Sequence, residues 1–78
     1  MAIFSVEGSG LIQTGMLPSG DMTVKHTGTG KVFEVVNASC HSGRGHWNQE
    51  YRNWIIFKQF AGEVLAEFDA VATRIETS

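Results

Sequence analysis

The chain has 78 residues, 42 % of them hydrophobic, with five Phe, two Trp and one Tyr, one cysteine and a formal charge of −2. This describes one domain near the lower size limit for a core without staples, with enough large apolar side chains to exclude global disorder. A single cysteine excludes an internal disulfide, the charge excludes a basic nucleic-acid footprint over the whole chain, and no apolar run approaches the roughly 20 residues of a membrane-spanning helix.

Ala2 to Val6 reads as a short strand closed by the turn-prone Glu7-Gly8-Ser9-Gly10, and Leu11 to Met16 as a second strand. Leu17-Pro18-Ser19-Gly20-Asp21 is a turn, and Met22 to His26 alternates apolar and polar residues as a half-buried strand does. After Thr27-Gly28-Thr29-Gly30, Lys31 to Val36 has the composition of a further strand, with Phe33 and Val35 on its core side. Residues 37 to 45 are polar and Gly-containing and read as a loop or one irregular helical turn. Arg52 to Phe57 reads as a strand, although Trp47, Tyr51 and Trp54 also fall at helical spacing. The last segment is helical: Phe60, Val64, Leu65, Phe68, Val71, Ala72 and Ile75 make one stripe from about residue 59 to 76. The predicted fold is α+β, a single domain over 1–78: a small antiparallel sheet of three to five strands in a β-rich part (1–57), with one C-terminal helix packed on a face.

Charge is unevenly placed. Up to Lys58, five Lys or Arg oppose four acids; from Gln59 onward, Arg74 alone faces Glu63, Glu67, Asp69 and Glu76. The opening Met-Ala-Ile-Phe-Ser-Val lacks the basic and long apolar regions of a secretory signal. A soluble protein of the reducing cytoplasm is expected, as monomer or dimer, with Cys40 available for an intermolecular disulfide.

No catalytic constellation stands out. Cys40, His41, His46 and His26 lack the paired spacing of a zinc site, so no metal is expected. Cys40 beside His41 lacks the third group that would orient a catalytic base. Thr27-Gly28-Thr29-Gly30 and Gly43-Arg44-Gly45 do not complete a phosphate-binding loop. No cofactor is implied, and the chain reads as non-enzymatic. The informative segment runs from Arg44 to Lys58, where Trp47, Tyr51 and Trp54 are interleaved with Arg44, His46, Arg52 and Lys58. Stacking rings with nearby cations hold single-stranded nucleic acid. The same rings would equally serve as a lid on a thin sheet, which leaves Trp47 and Tyr51 open to either role.

The pattern Gly-x-Trp-Asn-x-Glu-x-x-x-Trp followed by three apolar residues and a helix resembles the HARP-type modules of DNA-remodelling helicases. The likeness covers about Lys31 to Phe68, through Gly45, Trp47, Asn48, Glu50, Trp54, Phe57, Val64 and Leu65. It implies that the first Trp caps the sheet, that the second sits within it, and that the surface contacts nucleic acid. As a whole, by size, mild acidity and lack of catalytic residues, the chain also resembles small phage and mobile-element inhibitors of host defence, particularly type I anti-CRISPR proteins. That resemblance implies a crRNA-guided, Cascade-type complex as partner and blockage of target DNA binding as mechanism. Glu63, Glu67 and Asp69 would oppose a Lys/Arg-lined groove, with Trp47, Tyr51, Arg44 and Arg52 beside them. This inhibitor function is the first expectation, with direct nucleic-acid binding expected to be weak or absent; a module binding nucleic acid directly through Arg44, Trp47, Arg52 and Lys58 is the alternative.

Overall fold

Alternating side chains build the first three strands, as expected: β1 (Ala2–Val6), β2 (Gly10–Met16) and β3 (Met22–His26). The computed structural model describes residues 2–77. Phe4 lies opposite Ile12, and Thr14 opposite Val24, so the buried residues of neighbouring strands share one face.

The segment expected as a fourth strand is instead a helix, α1 (Lys31–Ser39). Its three valines favour a strand by propensity, yet Val32, Val36, Ser39 and Cys40 are buried at helical spacing. Phe33, expected in the core, faces solvent at 53 % exposure as a consequence. The helix start is secured from a distance. Ser9 Oγ accepts the backbone N–H of Val32 at 2.8 Å and donates to Thr29 O at 2.6 Å. No side chain at Gly30 caps the helix.

After α1 the chain forms β4 (Gly45–Asn48) and β5 (Asn53–Ile56), an antiparallel hairpin. The second strand is close to its expected position, whereas β4 lies where the sequence suggests no strand. Gly45 starts β4 where the backbones come together, and a Cβ there would run into the carbonyl oxygen of Ile55. At the tip, Asn48 Oδ1 accepts the N–H groups of Glu50 at 3.0 Å and Tyr51 at 3.2 Å, and Arg52 takes a left-handed φ of 53°.

The C-terminal helix, α2 (Lys58–Val71), is five residues shorter at its end than its apolar stripe predicts. Ala72 is extended, and Thr73–Thr77 forms β6 on the edge of β1. Ala61, Val64 and Phe68 are buried, whereas Val71 and Ile75 are exposed. The β-branched Thr73 and Ile75 suit a strand, and β1 offers them unpaired backbone groups; helix periodicity does not register that offer.

Among the described residues the sheet therefore has six strands in the order β4-β5-β3-β2-β1-β6, all antiparallel, with two helices on one face. This corrects the expectation of three to five strands and one helix. The core lies between Phe4, Ile12, Met22, Val24 and Ile56 below and Val32, Val36, Val64 and Phe68 above. Phe68 meets Phe4 edge-on, with ring centroids 5.5 Å apart. Each ring contributes about 2 kcal/mol by burial.

Candidate functional site

The residues singled out in the sequence fall into three separate places. The first is the root of the β4–β5 hairpin. Arg44 donates from Nη1 to Glu67 Oε1 at 2.9 Å and from Nη2 to Glu67 Oε2 at 2.8 Å, a two-pronged pair. Its Nη1 also donates to the Ser39 carbonyl at 3.1 Å, and Ser39 Oγ donates to Glu67 Oε1 at 2.8 Å. Glu63 stands further off, at 3.6 Å from Arg44. The hydrogen bonds from Arg44, and then that from Ser39, hold the Glu67 carboxyl down at about 2, and the same pairing raises Arg44 above its ordinary value. Glu67 was expected on a solvated face ready for a partner. It is committed within the chain, because α1 and the hairpin root both deliver donors to it.

Cys40 lies beneath this cluster and is 1 % exposed. Burial pushes its thiol up to about 12, with the Arg44 charge opposing only in part. The expectation of a thiol available for an intermolecular disulfide is corrected: Cys40 packs in the core. Among the described residues no three His, Cys, Asp or Glu side chains converge as metal ligands would, and no helix is long and apolar enough to cross a membrane.

The second place is the end of α2. Arg74 donates to Asp69 from Nε at 3.1 Å and from Nη2 at 2.8 Å, and its guanidinium lies 4.9 Å from the centroid of the Phe4 ring. Of the three carboxylates expected to face a partner, Glu63 is the one whose side chain is mostly in water. Beside α2, a groove of about 480 Å³ separates it from α1, lined by Lys31, Val35, Ala38, Ala70 and Val71 and ending at Glu67.

The third place is the hairpin itself. Trp47 lies directly across from Trp54 on the helix-bearing face, with ring centroids 5.9 Å apart in an edge-on contact. Trp54 also sits opposite Val24 and packs on the core, while Trp47 on the edge strand stays 44 % exposed. Trp47 Nε1 donates to Gln49 Oε1 at 3.0 Å, which steadies the exposed indole. Tyr51, at the tip, is 64 % exposed, with Arg52 next to it also in solvent. The segment's cations are divided. Arg52 lies at the tip, whereas Arg44 and Lys58 lie at the root, where Phe57 N–H bonds the Arg44 carbonyl at 2.9 Å. The Lys58 N–H bonds Asp21 Oδ1 at 3.0 Å. His46 faces away from the helices and meets Phe57 at 6.2 Å.

Two further aromatic rings meet beside β5. His26 closes β3 on the same face as Trp54, and its ring meets Phe33 edge-on at 5.9 Å. The signal that would have exposed Phe33 is the helical spacing of Val32, Val36 and Cys40. Comparison with family models, with curated proteins and with solved structures returned no match for this chain.

Proposed function

We propose that the chain is a non-enzymatic binding module that holds single-stranded nucleic acid on the tip of its β4–β5 hairpin. One observation carries this reading: Trp47 on edge strand β4 stays 44 % exposed and Tyr51, on the turn held by Asn48 with Arg52 next to it, 64 % exposed. An aromatic ring left exposed on a rigid hairpin contributes little to the core, and stacking a base on it removes apolar area from water. The likeness of residues 31–68 to HARP-type modules points the same way. Few cations surround the rings, so binding rests on stacking more than on counterion release. Titration of a labelled single strand and a duplex at physiological salt tests it. The expected result is a Kd of about 10⁻⁵ M for the strand and weaker binding of the duplex. Trp47→Ala with Arg52→Ala should abolish it; equal binding by that variant overturns the reading.

A second reading keeps the type I anti-CRISPR function, and the exposed carboxylate of Glu63 favours it. The hairpin and Glu63 would then face a Lys/Arg-lined groove of a crRNA-guided complex and block capture of target DNA. Glu63→Lys should restore that capture. Failure of the parent chain to bind such a complex removes this reading and leaves the first untouched.

A further inference from the structure

On the reading that the hairpin binds single-stranded nucleic acid, we infer that Phe33 is a second stacking platform of the same surface, braced by His26. The strand would then cross from β4 onto the flank of α1.

The fold places these rings in one row. Trp47 on β4 lies across from Trp54 on β5, and Trp54 lies across from Val24 on β3. His26 is two residues beyond Val24 on the same face, so its Cα is about 8 Å from that of Trp54. Above it stands Phe33. Helix α1 turns Lys31, Glu34, Val35 and Ala38 toward the groove shared with α2. Phe33 projects from the opposite flank, toward the hairpin side of the sheet. Its ring is more than half in solvent, yet it is not loose, because the His26 ring meets it edge-on at an interplanar angle of 68°. Nδ1 of His26 is buried and has no hydrogen-bond partner among the described residues. The edge-on contact with Phe33 is the ring contact the imidazole makes. A braced, exposed aromatic face is what a base stacks on, and every base offers such a face.

The surroundings favour nucleotides over an apolar protein segment. The exposed Asn37 lies one helical turn beyond Phe33 on α1 and the exposed Gln49 adjoins Trp47, while the Asn48 amide oxygen is taken up by the turn. Side-chain amides hydrogen-bond base edges, whereas the tip cation Arg52 suits phosphate.

The test is fluorescence anisotropy with labelled single strands of DNA and of RNA, about 4 and about 16 nucleotides long. Phe33→Leu keeps apolar bulk without the ring and should lower affinity for the longer strand about tenfold. Phe33→Tyr should bind as the parent does, and both variants should keep the parental thermal midpoint. The shorter strand, with fewer bases to stack, should lose less affinity than the longer one on Phe33→Leu. If Trp47→Ala weakens binding and Phe33→Leu does not, Phe33 is no platform and the hairpin reading survives. Equal losses for Phe33→Leu and Phe33→Tyr would mean that packing against His26, and not stacking, was disturbed, which overturns the inference. If the parent binds neither nucleic acid, the hairpin reading fails and this one with it.

Discussion

Arg44, the last residue before β4, grips both carboxylate oxygens of Glu67, a residue 23 positions further along the chain on α2. The pair fastens the hairpin root to the helix layer and closes over Cys40 and Ser39. A surface ion pair between flexible side chains contributes little. This one is two-pronged, shares its oxygen with Ser39, and has an arginine side chain that is mostly covered.

Glu67→Ala should consequently destabilise the fold by about 1 kcal/mol, a figure reduced because the carboxylate is still partly in water. Glu63→Ala, which loses only a long contact to an exposed carboxylate, should shift stability by less than about 0.5 kcal/mol. In an Arg44→Ala background the effect of Glu67→Ala should largely vanish, as a double-mutant cycle in urea would show. Equal effects in both backgrounds would mean the pair does not couple. Reversing Glu67 to Lys sets two cations together, so it is a stability variant and unsuited to testing a partner surface.

The same pair makes acid sensitivity predictable. The Glu67 carboxyl sits at about 2 in the fold, against an ordinary value of 4.5. A depressed value means the unfolded chain takes up the proton first. The stabilisation is therefore complete above pH 4.5 and is lost as pH falls toward about 2. The difference in denaturation midpoint between the parent and Glu67→Gln should be constant at neutral pH and shrink through that window.

Cys40 should be inert toward thiol reagents in the native protein and react at once in denaturant, since the fold both hides the sulfur and disfavours the thiolate. Its value is raised from 9.0 to about 12, so the unfolded thiol ionises first as pH rises, and stability should decline above pH 9.0. Cys40→Ala should remove that alkaline decline. Rapid labelling of the native protein would contradict the packing of this residue.

Phe68 and Val71 lie three residues apart on α2 with opposite fates. Phe68→Ala opens a void against Phe4 and should cost about 3–5 kcal/mol, most of the stability of a domain this small. Val71→Ala, on an exposed side chain, should change the thermal midpoint little. Similar losses from both would refute the arrangement of α2 on the sheet.

Residues 2–26 were legible in the sequence because strand alternation and turn residues are local signals that no later contact overrode. Phe68 and Val64 were legible too, since a buried helix face writes its period into the chain. The 31–39 segment was misread because Val32, Val35 and Val36 satisfy a strand by propensity; only Ser9, reaching from a distant turn, and the space above β2 and β3 select the helix. The chain beyond Val71 was misread for a related reason: Thr73 and Ile75 extend because β1 presents an open edge. The hairpin's rings were visible as a cluster from the start. Which of them face solvent was decided by register, since Trp47 falls on an edge strand and Trp54 one strand further in. The sequence by itself determined the layered α+β class, the C-terminal helix and the aromatic segment, because each is coded by neighbours along the chain. The tertiary structure alone decided that Glu67 is taken by Arg44 and that Phe33 is exposed and meets His26, because the partners of both are supplied by distant segments.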